Sequence, residues 1–441
     1  EPVFSLEDEY TGEKIGSKLE RIREIMKENG CNAHVLSSLD DIAWLLNIRG
    51  NDIAYCPLVL SYAIVYNNSV ELFADIRKFS DDIINLLAEN QVKIYPYEDI
   101  YRKVSEMTSE DKLLLDSAIM NYSLYQSISK ETVIVDKQNP EILMKSVKNE
   151  TQAENLRKAH LKDAVAHTKF MYWLKKNIGR VEITELSASA RLEGLRAEQE
   201  HFLGPSFGPI SAYGEHGAIV HYSADEKSNV PLKEGKLFMT DTGGHYLEGS
   251  TDITRTVALG EVGNIEKEHF TLVARAMLRL ANTVFLYGCS GANLDCIARE
   301  VFWKEGLNFN HGTGHGVGYL LNIHEGPINF RWKEGERPAP ALEENMVITD
   351  EPGIYIEGSH GIRLENELLV RKTVKNEYGQ FMNFEILTYV PIDLDAILPE
   401  KMSTEEKEML NHYHKQVYEK VSPYLSEEER IWLKEYTRAV K

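Results

Sequence analysis

The sequence predicts a mixed α/β domain at the N-terminal end, followed by an α+β domain and a helical C-terminal extension. Short helical and strand patterns alternate from Ile15 to about Asp136, and a long helical stretch begins near Asn149. Residues 205–260 and 345–390 are rich in Gly, Thr and β-branched residues, which is typical of strands and turns. The chain has 441 residues. It is therefore too long for one ordinary core, and two domains of roughly 150 to 250 residues are expected.

In the N-terminal domain we expect helices to cover a sheet. The stretch "IGSKLERIREIMKENG" has apolar residues at helical spacing and ends with Gly30, a residue suited to the left-handed position after a helix. "LVLSYAIVYNNSVELFAD" predicts a β-hairpin that turns at Asn67 and Asn68. The helix-like segments "SDDIINLLAEN" and "EDIYRKVSEM" alternate with the strand-like segments "VKIYPY", "KLLLD" and "TVIVD". This alternation indicates a mixed α/β domain.

The alternation stops around residues 138–140, and we predict the domain boundary just before the long helical stretch that begins near Asn149. The next helix runs through "ETQAENLRKAHLKDAVAHTKFMYWLKKNIG", with Thr151 and Glu154 as its predicted capping box. The extension contains "STEEKEMLNHYHKQVYEKV" and "SEEERIWLKEY", and each opens with the Ser-x-x-Glu pattern of a capped helix. We therefore divide the chain into residues 1–148, 149–395 and 396–441.

The composition excludes several classes of partner. The chain has 49 Lys+Arg against 69 Asp+Glu, a formal net charge of -20, which repels phosphate backbones and anionic membranes. We therefore expect neither nucleic acid nor a membrane as a partner. The four cysteines form no CxxC pair and are too few for a disulfide framework. Together with the absence of a long apolar run or a signal-peptide pattern, this indicates a cytoplasmic location.

Two carboxylates lie on neighbouring strand-like runs in "FMTDTGGHYLEGSTDITRTVALG". Asp241 and Asp252 are joined through a glycine-containing turn, and strand alternation puts Asp252, Thr254 and Thr256 on one face. A hairpin would thus direct both carboxylates at one point. Two carboxylates directed at the same point repel each other unless a cation or a proton lies between them.

Two further carboxylates interrupt apolar strands. Glu351 follows the apolar run in "MVITDEPGIYI", and Glu365 lies in "HGIRLENELLV". Burying such groups unpaired costs several kcal/mol, so a positive charge is expected beside them. Histidines are available in "FNHGTGHGVGYLLNIHEGP", where the glycines make a helix improbable. Four carboxylates and one histidine suit Mn²⁺ or Co²⁺, with Zn²⁺ or Fe²⁺ as alternatives. Two such ions share a water whose pKa falls toward about 7, which favours hydrolysis.

In their order along the chain, these motifs resemble the five-ligand site of the pita-bread metallopeptidases, a family that includes aminopeptidase P, prolidase and methionine aminopeptidase. The resemblance covers roughly residues 150–395. The stretch "LDDIAWLLNIRGNDIAYCPLVLSYAIV" and the end of the chain from "NFEILTYVPIDLDAILPEK" onward look more like the large cytosolic type of aminopeptidase P. This implies a creatinase-like N-terminal domain and a pita-bread catalytic domain. The large type carries a further domain upstream, which this sequence lacks.

The resemblance implies a role for each matching residue. Asp241 would chelate one ion, His315 and Glu351 would hold the other, and Asp252 and Glu365 would bridge the two. Glu351 would also orient and deprotonate the nucleophilic water. The family's non-ligand active-site histidines match His221, His311 and His324. Arg363 and Tyr355 match positions that fix carboxylate orientation. Trp44 and Arg49 match a region near the mouth of the cleft, where a substrate contact is expected.

The implied activity is removal of the N-terminal residue from peptides with proline in the second position. Two divalent ions would serve as cofactors, with Mn²⁺ expected and Co²⁺ or Zn²⁺ as alternatives. The partners would be peptides with N-terminal Xaa-Pro, and large relatives commonly form homodimers. Prolidase, which cleaves only Xaa-Pro dipeptides, is an alternative within the same fold. A non-catalytic pita-bread peptide-binding protein is an alternative from another class, although the intact ligand set argues against it.

Overall fold

The computed structural model describes residues 2–333, 335 and 337–441. The chain divides into two compact units, one that extends to Gln152 and one that spans Ala153–Lys441. Both units mix helices and strands, and the chain ends in two helices.

The N-terminal unit is built around a six-stranded sheet. The unit contains eight strands in its described residues: β1 (Phe4–Ser5), β2 (Ala33–Leu36), β3 (Ile48–Arg49), β4 (Ser61–Tyr66), β5 (Val70–Ala74), β6 (Val92–Tyr95), β7 (Lys112–Leu115) and β8 (Val133–Asp136). Its helices are α1 (Asp8–Thr11), α2 (Ile15–Glu28), α3 (Leu39–Leu45), α4 (Asp81–Glu89), α5 (Asp99–Ser105), α6 (Tyr122–Ser127) and α7 (Pro140–Ser146). The large sheet has the order β6-β5-β4-β2-β7-β8, with parallel pairs at both edges, while β1 pairs with β3.

The predicted helix and hairpin at the start of this unit are confirmed. Helix α2 buries Leu19, Ile22 and Met26 at helical spacing, and Gly30 follows with a φ of 67°, the left-handed conformation that glycine adopts without strain. Strands β4 and β5 pair antiparallel up to Val65 opposite Val70, so the chain turns between them as predicted.

Trp44 and Arg49 lie in the interior of the N-terminal unit. Both are at most 5% exposed. The Arg49 guanidinium donates to the carbonyls of Ala43 and Ile48 (2.9 Å each), and Lys18 Nζ donates to the Trp44 carbonyl (2.7 Å). The carbonyls of Ala43 and Trp44 belong to the last turn of α3, where basic side chains are favourable hydrogen-bond donors. The substrate role of Trp44 and Arg49 stays a prediction.

The second unit combines long helices with several small sheets and one large sheet. Its helices are α8 (Glu150–Asn177), whose first turn precedes Ala153, α9 (Glu185–Ala197), α10 (Asn264–Ala281), α11 (Gly291–Lys304), α12 (Thr404–Val421) and α13 (Glu427–Tyr436). Its strands are β9 (Phe202–Pro205), β10 (Ile210–Tyr213), β11 (Lys236–Thr242), β12 (Gly244–Tyr246), β13 (Gly249–Ser250), β14 (Ile253–Leu259), β15 (Phe285–Leu286), β16 (Gly314–Gly316), β17 (Glu325–Phe330), β18 (Val347–Asp350), β19 (Gly353–Ile356), β20 (His360–Arg363), β21 (Asn366–Asn376) and β22 (Gly379–Ile386).

Two sheets of this unit carry the motifs that the sequence singles out. The three-stranded sheet has the order β10-β11-β14, and the six-stranded sheet has the order β15-β22-β21-β18-β16-β17. A second three-stranded sheet has the order β13-β12-β9, and β19 pairs with β20. Within the part of the chain that the structure describes, no helix combines the length and apolar character needed to span a membrane.

The helix caps agree with the sequence at the C-terminal end but not at α8. Helices α12 and α13 begin with the predicted Ser-x-x-Glu capping boxes. The capping box expected at Thr151 and Glu154 is wrong, because α8 begins at Glu150. Asn149 and Gln152 cap it instead: each side chain accepts from the backbone N–H of the other (2.9 and 3.1 Å). Asn and Gln suit the two ends of such a box as well as Ser and Glu do.

Candidate metal centre

The first two carboxylates of the site lie on the hairpin formed by β11 and β14. Asp241 lies opposite Thr254 in the antiparallel register, and Asp252 immediately precedes β14. Both residues are less than 10% exposed. Thr254 and Thr256, on the face predicted for Asp252, donate to the Glu365 carboxylate (2.6 Å) and the Arg363 carbonyl (2.9 Å). This face of the hairpin therefore meets the segment that carries the other carboxylates.

Glu351 and Glu365 flank the pairing of β18 with β21. Asp350, the last residue of β18, is paired with Asn366, the first of β21. The two glutamates are the adjoining residues, so they leave the sheet at the same place. Glu351 donates its backbone N–H to the Thr313 carbonyl (2.8 Å), and the Glu365 N–H is held by the Thr254 carbonyl (3.1 Å).

His315, on β16, presents one ring nitrogen to this group. Its Nδ1 lies 2.9 Å from the Gly316 carbonyl, so that nitrogen donates and a neutral ring keeps its lone pair on Nε2. Nε2 lies 3.5 Å from Asp252 Oδ2 and 3.6 Å from Glu351 Oε1. Atoms bound about 2.1 Å from one ion at an angle of about 110° are about 3.4 Å apart, so these separations are what a shared ion needs.

The chemistry of the donor set also fits a bound cation. Asp252, His315 and Glu365 each offer a ligand atom, and these atoms lie within 4.8 Å of one another. Burial, reinforced by the neighbouring carboxylates, raises the pKa of Asp252 and of Glu365 well above their ordinary values. Burial likewise raises the pKa of Glu351. A divalent ion among these groups would remove the mutual repulsion.

Asp241 has one carboxylate oxygen in use and one without a partner. Its Oδ2 accepts from Arg363, at 3.2 Å from Nε and closer from Nη2. Its Oδ1 is buried and has no hydrogen-bond partner among the described residues. An unsatisfied buried carboxylate oxygen is costly. The missing partner is supplied if Asp241 Oδ1 faces an ion.

Two threonines hold the ligands in place, and sequence reasoning assigned neither of them a role. Thr254 donates to Glu365 as described above. Thr349 Oγ1 donates to Glu351 Oε1 (3.1 Å) and accepts from the His315 backbone N–H (3.0 Å). The only signal in the sequence is that each threonine lies two residues from a ligand, on the same face of an extended segment.

Arg363, Tyr355 and His311 form a hydrogen-bonded chain beside Asp241. Arg363 Nη1 donates to Tyr355 Oη (2.7 Å), and the Tyr355 hydroxyl lies 2.8 Å from His311 Nε2. His311 Nδ1 donates to the Gly312 carbonyl (2.7 Å). Burial and Arg363 lower the pKa of His311 to about 4, so its Nε2 accepts. Burial raises the pKa of Tyr355 to about 12, so its hydroxyl keeps the proton and donates.

The other two histidines predicted for the site, His221 and His324, line the same cavity as the carboxylates. Its volume is about 510 Å³. The wall includes nine of the residues predicted for the site, namely Asp241, Asp252, His315, Glu351, Glu365, His221, His311, His324 and Arg363. His221 and His324 keep much of their surface open to solvent, and the rings of His324 and His315 are 4.4 Å apart between centroids. Partial desolvation by the cavity wall and the neighbouring His315 lower the pKa of His324 to about 4. Tyr355 reaches the site through Arg363 and His311.

Glycine and a buried ion pair explain the shape of the histidine-rich stretch. A Cβ at Gly314 would lie 1.8 Å from the Thr349 carbonyl oxygen, so only glycine lets β16 approach β18 this closely. Arg299, which is 1% exposed, donates to the carbonyls of Phe309 and His311 (2.7 Å each) and to Asp295 (2.6 Å). Sequence reasoning missed Arg299, because nothing in its helical context distinguishes it from a surface cation.

Comparison with known proteins shows the family. Residues 154–372 match the model of metallopeptidase family M24, residues 1–152 match the creatinase/prolidase N-terminal domain, and residues 380–440 match the C-terminal region of peptidase M24. Xaa-Pro aminopeptidase 1 of Dictyostelium discoideum is 36% identical over 96% of this chain and 68% of its own.

The chain belongs to metallopeptidase family M24. Aminopeptidase P1 of Arabidopsis thaliana is 34% identical to this M24 chain over all of it and 76% of the plant protein. The crystal structure of an X-prolyl aminopeptidase from Caenorhabditis elegans, described as a cytosolic enzyme with a di-nuclear active site, has a TM-score of 0.94 and 34% identity, covering 100% of this chain and 73% of that one. The resemblance and the fold class expected from the sequence are confirmed.

Proposed function

We propose that this M24 chain is a dinuclear metallo-aminopeptidase that removes the N-terminal residue from peptides with proline in the second position. The observation that carries the proposal is the convergence of four carboxylates and His315 on one cavity, in a chain whose relatives are Xaa-Pro aminopeptidases. A binding protein would not need this costly concentration of buried charge.

The ligand assignment follows the family's order of residues. Asp241 would bind one ion, and His315 and Glu351 would bind the other. Asp252 and Glu365 would bind both ions. The unpartnered Asp241 Oδ1 and the lone pair of His315 Nε2 support it. Mn²⁺ is the expected metal, with Co²⁺ or Zn²⁺ as alternatives, because oxygen donors dominate the set.

Each side chain of the cavity has a defined task in hydrolysis. The ions would polarise the scissile carbonyl and lower the pKa of a shared water to about 7. Glu351, held by Thr349, accepts the proton of the attacking water and passes it to the leaving nitrogen. His221 and His324, which line the cavity, would each donate a ring N–H to the carbonyl oxygen as it gains negative charge. The hydrogen bonds that link Arg363, Tyr355 and His311 hold the Asp241 carboxylate in position.

The preference for proline follows from the chemistry of the bond. The amide before proline has no N–H, so an enzyme that relies on that donor cannot bind it, whereas attack on a metal-polarised carbonyl does not need it. The free α-amino group of the substrate would lie beside the acidic ligands near Asp241. Phe207, Ile210 and Val220 line the cavity and provide an apolar surface for the proline ring. We expect the trans isomer to be the one cleaved, since only one isomer presents the carbonyl correctly.

A peptide panel tests this function. Mn²⁺-loaded protein is incubated with matched Xaa-Pro-Yaa, Xaa-Ala-Yaa and Xaa-Pro peptides, and the products are identified by mass. We expect cleavage of the first peptide between Xaa and Pro. Preference for the alanine peptide would exclude the proline specificity, and cleavage of the dipeptide alone would identify a prolidase. Binding of all three without cleavage would favour the peptide-binding alternative.

Location and assembly complete the proposal. The chain would act in the cytoplasm, as a homodimer, on peptides and not on nucleic acid or membranes. The description of the nematode enzyme as cytosolic supports the location. Sedimentation of the purified protein tests the dimer.

A further inference from the structure

Helix α8 presents two buried polar side chains to the hairpin that carries Asp252. Asp163 accepts from the Thr251 hydroxyl and from Arg196 Nε (2.7 Å). His160 lies three residues earlier, on the same face of the helix, and is fully buried. Neither residue lines the metal cavity. Asp163 accounts for the position of Thr251, but the roles described so far leave His160 unused.

Glu367 connects His160 with the metal centre. It is fully buried, and its Oε1 accepts the backbone N–H of Asp252 at 2.7 Å. The backbone of Glu367 is itself held: its N–H donates to Thr388 Oγ1 (2.9 Å), and its carbonyl accepts from the Leu387 N–H (2.9 Å). Glu367 therefore links the backbone N–H of Asp252 to β21, a strand whose backbone is itself hydrogen-bonded at this residue.

The other oxygen of Glu367 meets His160. His160 Nε2 lies 3.1 Å from Glu367 Oε2, within ion-pair distance. The contact does not have hydrogen-bond geometry, and neither atom has a hydrogen-bond partner in the described part of the chain. A buried carboxylate oxygen without any polar contact is costly, so a nitrogen at this distance favours the observed position of Glu367 Oε2.

We infer that His160 is a positioning residue for the metal centre, acting through Glu367 on Asp252. The inference rests on the proposed function, which makes Asp252 the carboxylate that contacts both ions. Loss of His160 removes the nitrogen that contacts Glu367 Oε2, lets the Glu367 side chain move, and so loosens the Asp252 backbone. Partners behind metal ligands typically change metal affinity by about 10- to 100-fold when they are removed.

Metal titration of two matched variants tests the inference. His167 lies on the same helix, is equally buried, and likewise has no hydrogen-bond partner among the described residues, but it has no recorded contact with Glu367. His160→Ala and His167→Ala therefore remove the same side chain at equal burial. We expect His160→Ala to weaken Mn²⁺ binding to the metal-free protein by about 10- to 100-fold and His167→Ala to leave it unchanged. Equal losses in the two variants would show that core packing alone is responsible.

A double-mutant cycle shows whether the effect passes through Glu367. If it does, His160→Ala combined with Glu367→Gln weakens Mn²⁺ binding no more than the stronger single variant, because both changes disrupt one unit. Losses that multiply would overturn the connection. If His160→Ala does not fold, His160→Gln is used, since its amide can still contact Glu367. We expect His160→Gln to retain metal better than His160→Leu, and equal loss in both would overturn the inference.

Visible absorption of the Co²⁺-loaded protein separates this inference from the proposed activity. The spectrum reports the ligand arrangement, whatever the substrate is. We expect His160→Ala to change it and His167→Ala to preserve it. An unchanged spectrum and affinity in His160→Ala would refute the role of His160 and leave the peptidase proposal standing. A changed spectrum in a protein that cleaves no Xaa-Pro-Yaa peptide would refute the activity alone.

Discussion

Asp252 lies close to other residues predicted as ligands. His315 Nε2 is 3.5 Å from its Oδ2, and burial, together with the charges of Asp241, Glu351 and Glu367, raises its pKa. We expect Asp252→Asn to lose at least about 100-fold in metal affinity and all measurable peptidase activity, because a neutral amide cannot bridge two cations. Metal content per chain and the rate on an Xaa-Pro-Yaa peptide measure both effects.

The control for this variant is Asp225→Asn. Asp225 is an exposed carboxylate that accepts from the backbone of a turn and does not line the cavity, so its variant should keep both metal and activity. Two ions per chain and near-normal turnover in Asp252→Asn would show that Asp252 is no bridging ligand.

His221 and His324 are expected to act on the substrate and not on the metal. Both line the cavity beside the carboxylates. Removing one donor to a developing oxyanion typically lowers the rate by about 10² to 10³. We therefore predict that His221→Ala and His324→Ala lose turnover on this scale while retaining their metal. Isolation of either variant without metal would place that histidine among the ligands, a result to be watched for at His324, whose ring adjoins His315.

At the level of elements, helices α8 and α9 support the hairpin of β11 and β14 through buried polar contacts, and we call this arrangement the brace. Arg196 of α9 joins Asp163 of α8 (2.7 Å) and donates to the Thr242 carbonyl at the end of β11 (3.1 Å). The Arg196 and Asp163 side chains are 3% and 0% exposed. Removing one member of a buried pair costs about 3 to 5 kcal/mol, because the other charge stays buried.

We predict that Arg196→Met lowers the free energy of unfolding by about 3 to 5 kcal/mol, measured by urea denaturation of the metal-free protein. The matched control is Lys176→Met, which breaks an exposed pair with Glu428 (49% and 76% exposed) and should leave the free energy of unfolding nearly unchanged, because solvent screens such a pair. Equal effects of the two substitutions would mean that the brace contributes nothing beyond an ordinary surface pair.

For the whole molecule, metal binding and stability should be linked. The chain carries a net charge of -20, and its ligand carboxylates are crowded without ions. Ligands that bind only the folded state stabilise it by about 2.7 kcal/mol per site at 100 times their Kd. We expect Mn²⁺ at that concentration to raise the unfolding temperature and a chelator to reverse the rise, as measured by calorimetry. The Asp252→Asn variant should show no such shift, and a shift in it as large as in the parent would point to metal bound elsewhere.

The sequence singles out the carboxylates predicted as ligands, because each interrupts an apolar or β-branched run where an unpaired charge would be too costly, and the structure brings all four to one cavity. Local patterns also predicted the hairpin of β4 and β5 and the caps of α12 and α13, because these features depend only on neighbouring residues. Such reasoning was wrong at the start of α8, where Asn149 and Gln152 take the roles expected of Thr151 and Glu154. Two overlapping capping patterns are locally equivalent, and the packing of the helix selects between them.

By itself, the sequence determined the family, the two mixed α/β units and the residues chosen as metal ligands, since these follow from residue type and local spacing. Only the tertiary structure decided which side chains hold the ligands. Thr254 and Glu365 are 111 residues apart, and Asp252 and Glu367 are 115 apart. Such contacts use ordinary threonines, glutamates and histidines, whose environment is created when distant strands and α8 pack together. Their role is therefore a property of the folded core, and its only local signal in the chain is the two-residue spacing between each threonine and a predicted ligand.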